Sequence, residues 1–404
     1  MAREKSFEIQ PEWVAISHSE RTGAQETYGY VEENRIFLDG VRFLPKGRES
    51  KTLVIYMHPT ATFNRLPVPR AMAAAGVHVL CAESRYTRND TGLIMERVLA
   101  DYGAFVRHAK EVWGYEKLVL AGWSGGGSLT AFYQSQAENP TITDTPSGEP
   151  VYLDKLIPGD ALIFQAAHLS RAQVLRDFID PSIIDENNPD IRRVELDLYD
   201  PRNPNKPPYS KDYIEYFRSE QLARMRRRTA FAREILEQLR KRGGVEADRA
   251  MVTHRTLADP RFLDGAIDPN DRKIGMSFMG VPEVANLITV GIARYSTARA
   301  WLSQWSVDDS RAQADLVAPH ISVPVYAIEN TADDAVPQPH VTTFLNACGS
   351  KDKTLEVMKG ANHYYAGQDA QLAAATDNIV SWLMDRGLLD ELIELLPLRS
   401  RCAG

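Results

Sequence analysis

The chain has 404 residues, of which 44% are hydrophobic, and its formal net charge is -7 at pH 7. This length allows a large core plus an insertion. The negative charge argues against a nucleic-acid binder, which would need a basic surface, and no apolar run is long enough to span a membrane. The start of the chain leads into no apolar signal segment and the three cysteines lack metal or redox spacing, so we expect a cytoplasmic protein with reduced thiols.

Strand and helix patterns alternate along most of the chain, which predicts repeated βαβ units and a mainly parallel sheet. The first predicted elements are exposed antiparallel strands at 27–31, 35–38 and 41–44. They are followed by strand 53–57, helix 69–75, strand 77–81, helix 93–112, strand 117–121 and a potentially helical stretch at 128–136. Strands at 161–167, 325–328 and 354–358 and a closing helix at 371–386 complete the series.

The middle of the chain has a different pattern. From His168 to about residue 293 it is mostly helical, with a proline-rich interruption at 200–208. A long insertion after a core strand indicates a cap. We therefore predict three parts, namely a first core part at 1–168, a helical cap at 169–295 and a second core part at 296–404.

Several charged and aromatic residues leave alternatives open. We interpret the basic run at 224–228, within a charged helix, as a solvated face, with a contact to an anionic substrate as the alternative. Arg85 would either hold a substrate carboxylate or pair with an acid at the edge of the core. Trp301 and Trp305 would line a pocket or pack in the core.

A glycine-rich turn at 122–126, with the sequence Gly-Trp-Ser-Gly-Gly, follows the apolar strand at 117–121. In a strand, turn and helix context, G-x-S-x-G places its serine on a strained turn that lifts the hydroxyl above the sheet, and a Cβ at the flanking glycines would collide with backbone. A loop that merely turns the chain is the alternative. The strand before it and the residues described next favour Ser124 as a nucleophile.

A nucleophilic serine needs a base and a carboxylate that orients the base. A polar turn follows the strand at 325–328 and contains Asp333 and Asp334. A loop follows the strand at 354–358 and contains His363. Since the carboxyl ends of parallel strands share one edge of the sheet, these groups are placed where α/β proteins carry their chemistry.

With serine, acid and histidine in this order, the chain resembles the α/β-hydrolase family, whose acid commonly lies in D-x-x-V-P and whose base lies in G-x-x-H. Residues 333–337 and 360–363 match these patterns as they stand. The register favours Asp333 as the acid, with Asp334 as the alternative. The resemblance implies an α/β fold with a mainly parallel central sheet flanked by helices, and a mostly helical cap inserted after the strand ending near His168.

The resemblance also implies an oxyanion hole with two amide donors, one of which would be Gly125. Family members often have His-Gly where this chain has His58 and Pro59. Because proline has no N–H, the register places the second donor on Thr60, and we expect His58 to brace the loop. The residues expected to contact substrate are His58, Trp123, His168, Phe278 and Met279.

The function implied by the resemblance is a serine hydrolase, expected to be a carboxylesterase. It would cleave small-molecule esters or thioesters with a small to medium acyl or aromatic group through an acyl-enzyme. An acyltransferase, a carbon–carbon bond hydrolase or a peptidase would use the same three residues, and a non-catalytic ligand-binding module is a further alternative. We find no P-loop and no histidine spacing for a metal, so we expect no cofactor and no metal. The leucine-rich tail at 388–398 would pack on the core or on a second copy in a homodimer.

Overall fold

The structure, a computed structural model, describes residues 6–20, 32 and 34–389. The strands are β1 (Ile9–Ser19), β2 (Arg35–Pro45), β3 (Thr52–His58), β4 (Val79–Glu83), β5 (Lys117–Trp123), β6 (Ala161–Gln165), β7 (Ile183–Asp185), β8 (Asn188–Arg192), β9 (Ala250–Val252), β10 (Tyr295–Thr297), β11 (Val325–Asn330) and β12 (Lys353–Met358). The helices are α1 (Pro67–Ala74), α2 (Met95–Glu111), α3 (Gly125–Glu138), α4 (Arg171–Phe178), α5 (Lys211–Arg242), α6 (Pro282–Leu287), α7 (Ala298–Gln304), α8 (Ala314–Val317), α9 (His340–Ala347) and α10 (Asp369–Asp385). None of the helices in the described part of the chain has both the length and the apolar character needed to cross a bilayer.

Eight strands form the central sheet in the order β1-β2-β4-β3-β5-β6-β11-β12. Strand β2 is antiparallel to both of its neighbours, and every pairing from β4 to β12 is parallel. Long connections that carry helices join the parallel strands, as parallel pairing requires. The prediction of a mainly parallel sheet flanked by helices is confirmed.

The sheet is covered on both faces, and β3 shows how. Its residues Val54 and Tyr56 belong to a core on one face, together with residues of α1 and α10. Leu53 and Ile55 belong to a core on the other face, together with residues of α2 and α3. A strand buried on both faces has a continuous apolar sequence, which is why the central strands could be predicted.

The edge of the sheet was harder to predict. Strand β1 was not predicted, because Val14 is the one residue that it buries and its other positions are partly or fully exposed. The two short strands predicted at 35–38 and 41–44 are one continuous strand, β2, which pairs with β1 along its whole length. The strand predicted at 27–31, the leucine-rich tail after residue 389 and Cys402 lie outside the described residues.

The segment between β6 and β11 combines helices with strands. It contains α4 to α8 and two small antiparallel sheets, β7 with β8 and β9 with β10. These four short strands were not predicted within the segment that we expected to be mostly helical. Helix α5 packs against α4 and α7 through a buried cluster in which Trp301 and Trp305 stack with ring centroids 4.8 Å apart. Both tryptophans are therefore packing residues.

The interpretation of the basic run on α5 as a solvated face holds for Arg226 and Arg227, which are exposed, and is corrected for Arg224 and Arg228, which are buried. The side chain of Arg224 is fully buried, and its Nε and Nη2 each donate to the carboxylate of Glu186 at 2.8 Å. Arg228 is also buried near Glu186, whereas Arg226 is exposed and pairs with Asp308. The acceptors come from distant parts of the chain, so the local charge pattern could not show them.

Arg85 pairs with an acid. Its Nη2 lies 2.6 Å from Oδ1 of Asp101, and Glu20 binds the same guanidinium. Both Arg85 and Asp101 are almost completely buried. The guanidinium is thus saturated by carboxylates of the chain itself, which favours the structural alternative over a contact with substrate.

Candidate active site

Five neighbouring parallel strands bring polar side chains to one edge of the sheet. His58 is the last residue of β3, Ser124 follows β5, His168 follows β6, Asp333 follows β11 and His363 follows β12. These strands are adjacent in the order β3-β5-β6-β11-β12. The carboxyl ends of parallel strands lie at one edge, so residues far apart in sequence gather there.

Ser124 occupies a strained turn between β5 and α3. Its backbone angles, φ 53° and ψ -124°, lie outside the regions that residues with a side chain normally adopt. The turn is packed too tightly for larger neighbours. A Cβ on Gly122 would lie 2.3 Å from the carbonyl oxygen of Gly126, and a Cβ on Gly126 would lie 2.4 Å from that of Met57. The glycines thus permit the turn that presents the serine.

Asp333 holds the imidazole of His363. Oδ2 of Asp333 lies 2.9 Å from Nδ1 of His363, and both side chains are buried. The other carboxylate oxygen accepts hydrogen bonds from the amides of Ala335 and Val336 at 2.8 and 2.7 Å. An ionised carboxylate accepts only, so neutral His363 carries its proton on Nδ1 and has a free lone pair on Nε2. Such a nitrogen can act as a base.

Asp334, the alternative acid, has a different position. It is half-buried, and burial together with the adjacent Asp333 carboxylate raises the pKa of its carboxyl. Its carbonyl oxygen accepts a hydrogen bond from the amide of Phe278 at 3.1 Å. The carboxylate on the imidazole of His363 is that of Asp333. The geometry thus pairs the histidine with the acid that the motif register favours.

The Nε2 atom of His363 is buried and has no hydrogen-bond partner among the described residues. The Ser124 hydroxyl and the imidazole are therefore not hydrogen bonded in this structure. The two parts of the site are nevertheless linked through Trp123, whose ring lies edge-on to His363 at 6.1 Å and stacks on Tyr364 at 6.4 Å. Trp123 is fully buried and packs against the loop that carries His363. Its contact with a substrate stays a prediction.

The loop after β3 is organised around the ring of His58. The amides of Thr60 and Ala61 both donate to Nδ1 of His58, at 2.9 and 2.8 Å. His58 therefore braces this loop, as expected. The amide of Thr60, which we expected to serve the oxyanion hole, is hydrogen bonded to this imidazole in the structure.

Two imidazoles border the residue after the serine. A Cβ on Gly125 would lie 2.7 Å from Nε2 of His58 and 3.2 Å from Nε2 of His168. The backbone of His168 also contacts the turn, since its amide donates to the carbonyl of Ser124 at 3.3 Å. The pKa of His58 is lowered to about 3, first by burial and then by the nearby charge of Arg171. Burial also lowers the pKa of His168 well below its ordinary value, so both rings are neutral at neutral pH.

Phe278 and Met279 lie beside the acid turn. Both are half-buried and pack against a cluster that contains Phe178 and Phe262. The rings of Phe278 and Phe178 stack with centroids 6.3 Å apart. The amide of Phe278 ties this segment to Asp334. This segment thus places apolar side chains beside the turn that carries Asp333 and Asp334.

Sequence reasoning missed two buried residues near the site, Arg171 and His340. Nε of Arg171 donates to Gln304 at 2.8 Å, its Nη2 binds Asp90, and its charge lowers the pKa of His58. Burial lowers the pKa of His340 to about 4. Neither residue lies in a motif, and the position of Arg171 soon after β6 is the one sequence signal. Although several histidines converge here, no group of three ligating side chains in the described ranges could hold a metal ion.

Several solved structures are similar to this chain. Est1E from Butyrivibrio proteoclasticus matches 87% of this chain and 95% of its own, with 14% identity and a TM-score of 0.46. A monoacylglycerol lipase of Paleococcus ferrophilus matches 86% and 98%, with 15% identity and a TM-score of 0.45. The carboxylesterase Cest-2923 from Lactobacillus plantarum WCFS1 matches 94% and 98%, with 12% identity and a TM-score of 0.44.

No protein-family model matches the sequence, and no curated protein matches it either. At 12 to 15% identity and TM-scores of 0.44 to 0.46, these matches are too distant to assign a family or a function to this chain. The structure itself shows a mainly parallel sheet with a serine on the strained turn between β5 and α3, which is the local arrangement that a G-x-S-x-G sequence requires.

Proposed function

We propose that this protein is a serine hydrolase that cleaves carboxylic esters through an acyl-enzyme on Ser124. The observation that carries the proposal is the buried pair of Asp333 and His363, placed at the same sheet edge as a serine on a strained turn. A carboxylate that orients an imidazole, which in turn activates a serine hydroxyl, is the arrangement used for acyl transfer on several unrelated folds. Each of the three side chains has one part in the reaction.

The reaction proceeds in two steps. Nε2 of His363 takes the proton of the Ser124 hydroxyl as its oxygen attacks the ester carbonyl carbon, and Asp333 stabilises the imidazolium. The imidazolium then gives that proton to the departing alkoxide, which leaves as the alcohol. Water, deprotonated by the same nitrogen, attacks the acyl-enzyme and releases the carboxylic acid and the free serine.

The amide of Gly125 is one donor to the oxyanion. Gly125 is the first residue of α3, and the first N–H groups of a helix have no partner within it. The positive end of the helix dipole adds to their attraction for a negative oxygen. The tetrahedral intermediate on Ser124 would therefore form next to a donor that is already in place.

The hydrogen bond between serine and base has to form when substrate binds. Hydrogen bonds of catalytic groups are often long or misaligned in free enzymes and shorten in the complex. Ser124 is only half-buried, whereas Nε2 of His363 is buried and unpaired among the described residues. Reorientation of the serine hydroxyl toward this nitrogen gives the buried imidazole a partner.

An uncharged acyl group of small to medium size, or an aromatic one, suits this site. The aromatic cluster around Phe278 offers an apolar surface beside the acid turn, and His58 and His168 are neutral. Arg171, a cation near His58, is already paired with Asp90. We propose that residues 169–295, which supply Phe278 and Met279, act as a cap that selects the acyl group.

A chain-length series of p-nitrophenyl esters, together with p-nitrophenyl benzoate, tests this function. Wild type should show saturable release of p-nitrophenol with an initial burst wherever deacylation is slow, and Ser124→Ala should lose it. Ala is the matched change, because it meets the same backbone strain at φ 53° as Ser. Equal turnover by Ser124→Ala, or none by wild type on any ester, would refute the proposal.

A further inference from the structure

The imidazole of His58 is held in one orientation and in one tautomer. Its Nδ1 accepts two backbone hydrogen bonds, from Thr60 at 2.9 Å and from Ala61 at 2.8 Å. A nitrogen that accepts hydrogen bonds carries no proton, so the proton of the neutral ring is on Nε2. The loop that His58 braces therefore also fixes a side-chain donor that points away from the loop.

That donor lies beside the nucleophile. A Cβ on Gly125 would lie only 2.7 Å from Nε2 of His58, so this nitrogen sits against the backbone of the residue that follows Ser124. The first oxyanion donor is the amide of that same residue. Two N–H groups, one from the backbone and one from His58, are thus close together next to the serine.

The usual source of a second donor is occupied here. The amide of Thr60 is bonded to the ring, and residue 59 is a proline that has no N–H. We propose that the Nε2–H of His58 is the second donor of the oxyanion hole, so that His58 is a catalytic residue that replaces a backbone amide. This inference rests on the proposed ester hydrolysis at Ser124.

The electrostatics of the site favour this role. The pKa of His58 is lowered to about 3, first because the ring is buried and then because the charge of Arg171 is near. His58 therefore stays neutral at neutral pH. A neutral Nε2–H donor does not compete with His363 as a base, and its orientation costs no reorganisation during the reaction.

Two substitutions of His58 separate its role as a hydrogen-bond donor through Nε2 from its role in holding the loop through Nδ1. In His58→Asn, the amide oxygen can take the position of Nδ1 and accept from Thr60, but no donor reaches the position of Nε2. In His58→Gln, the longer side chain can place an N–H at the Nε2 position, but the acceptor for the loop is lost. His58→Asn therefore keeps the acceptor and loses the donor, whereas His58→Gln keeps the donor and loses the acceptor.

We expect His58→Asn to lose about 10²- to 10³-fold in kcat with little change in KM, as is typical when one oxyanion donor is removed. His58→Gln should be more active than His58→Asn despite its weaker brace. In an aryl trifluoromethyl ketone, the serine oxygen adds to the carbonyl carbon and the carbonyl oxygen becomes an oxyanion. This ketone should bind His58→Asn more weakly by the same factor by which kcat/KM falls. Circular dichroism and Tm report whether each variant is folded.

Three results would overturn the role of His58. They are wild-type kcat in His58→Asn, a loss of kcat without a matching loss of ketone affinity, and lower activity in His58→Gln than in His58→Asn. The last two would mean that the ring acts through the loop. In each case wild type would still hydrolyse esters and Ser124→Ala would not, so failure of this inference is distinguishable from failure of the proposed function.

Discussion

Nδ1 of His363 lies 2.9 Å from Oδ2 of Asp333, and two backbone amides hold the other oxygen of that carboxylate. Asp333 is therefore fixed by the turn that carries it, and it fixes the imidazole in turn. Asp334 is adjacent in sequence but less buried, and its pKa is raised. Neighbouring carboxylates in one turn thus have separate environments, which makes their roles separable by experiment.

We predict that Asp333→Asn lowers kcat about 10³- to 10⁴-fold, because an amide N–H facing Nδ1 would favour the tautomer with its proton on Nε2 and remove the base. Asp334→Asn should keep most of the activity. Steady-state kinetics on a p-nitrophenyl ester measure both. Loss of activity in Asp334→Asn with retention in Asp333→Asn would reverse the assignment of the acid.

Substitution of Gly122 should mainly lower the stability of the protein, whereas substitution of Gly125 should mainly lower its activity. A Cβ on Gly122 would meet the backbone oxygen of Gly126 at 2.3 Å, so Gly122→Ala must displace the backbone and should cost about 3 kcal/mol of stability. A Cβ on Gly125 would meet the ring of His58. Gly125→Ala should lower kcat about 10²-fold by displacing that ring, with a smaller loss of stability.

Urea unfolding and ester kinetics on both glycine variants check this difference. The idea fails if Gly125→Ala keeps wild-type kcat, or if Gly122→Ala is as stable as wild type. Since neither substitution changes a charge, pH effects do not complicate the comparison.

Arg224 and Arg226 provide a matched pair on one helix. Arg224 is fully buried against Glu186, so Arg224→Ala leaves a carboxylate without its partner and should cost about 3 to 5 kcal/mol. Arg226 pairs with Asp308 in solvent, and Arg226→Ala should cost less than about 1 kcal/mol. Denaturant unfolding measures both. Equal effects would show that the buried pair of Arg224 with Glu186 contributes no more to stability than the exposed pair of Arg226 with Asp308.

Acid should destabilise the protein through its buried histidines. The pKa of His340 is lowered from 6.5 to about 4 by burial, so below about pH 6.5 the unfolded chain gains a proton at His340 that the folded chain does not bind. Stability is therefore lost as the pH falls. Between about pH 7.5 and about pH 5.5 this one residue should account for about 1.3 kcal/mol.

The matched variant for this effect is His340→Asn, whose oxygen can still face the amide of Leu169, which lies 3.4 Å from Nδ1 of His340. Unfolding free energies of both proteins at the two pH values give the contribution of His340 as a double difference, so other titrating groups cancel. The variant should lose less stability on acidification than wild type. An equal loss in both would mean that His340 is not held neutral by the fold.

The central fold could be predicted because its strands are buried on both faces and therefore apolar along their length, as in β3. Strand β1 could not, because an edge strand that buries only Val14 has no such signal. The buried Arg224 also escaped prediction. Its partner Glu186 lies 38 residues away, and only the folded chain brings them together.

The candidate site also contains residues that the sequence indicated and contacts that it did not. Ser124, Asp333 and His363 lie in short patterns with local backbone requirements, so the sequence alone indicated them. The contact between His58 and Gly125 joins the ends of β3 and β5, and no local pattern reports it. The expectation that Thr60 would donate to the oxyanion followed from register alone, and in the structure that amide is hydrogen bonded to the ring of His58.

The most direct measurement is the site of covalent labelling by a fluorophosphonate, located by peptide mass spectrometry. We expect one adduct, on the peptide that contains Ser124, which is absent in Ser124→Ala and forms at least about 100-fold more slowly in His363→Ala. Labelling at another residue, or an unchanged rate in His363→Ala, would show that this serine is not a nucleophile activated by this histidine.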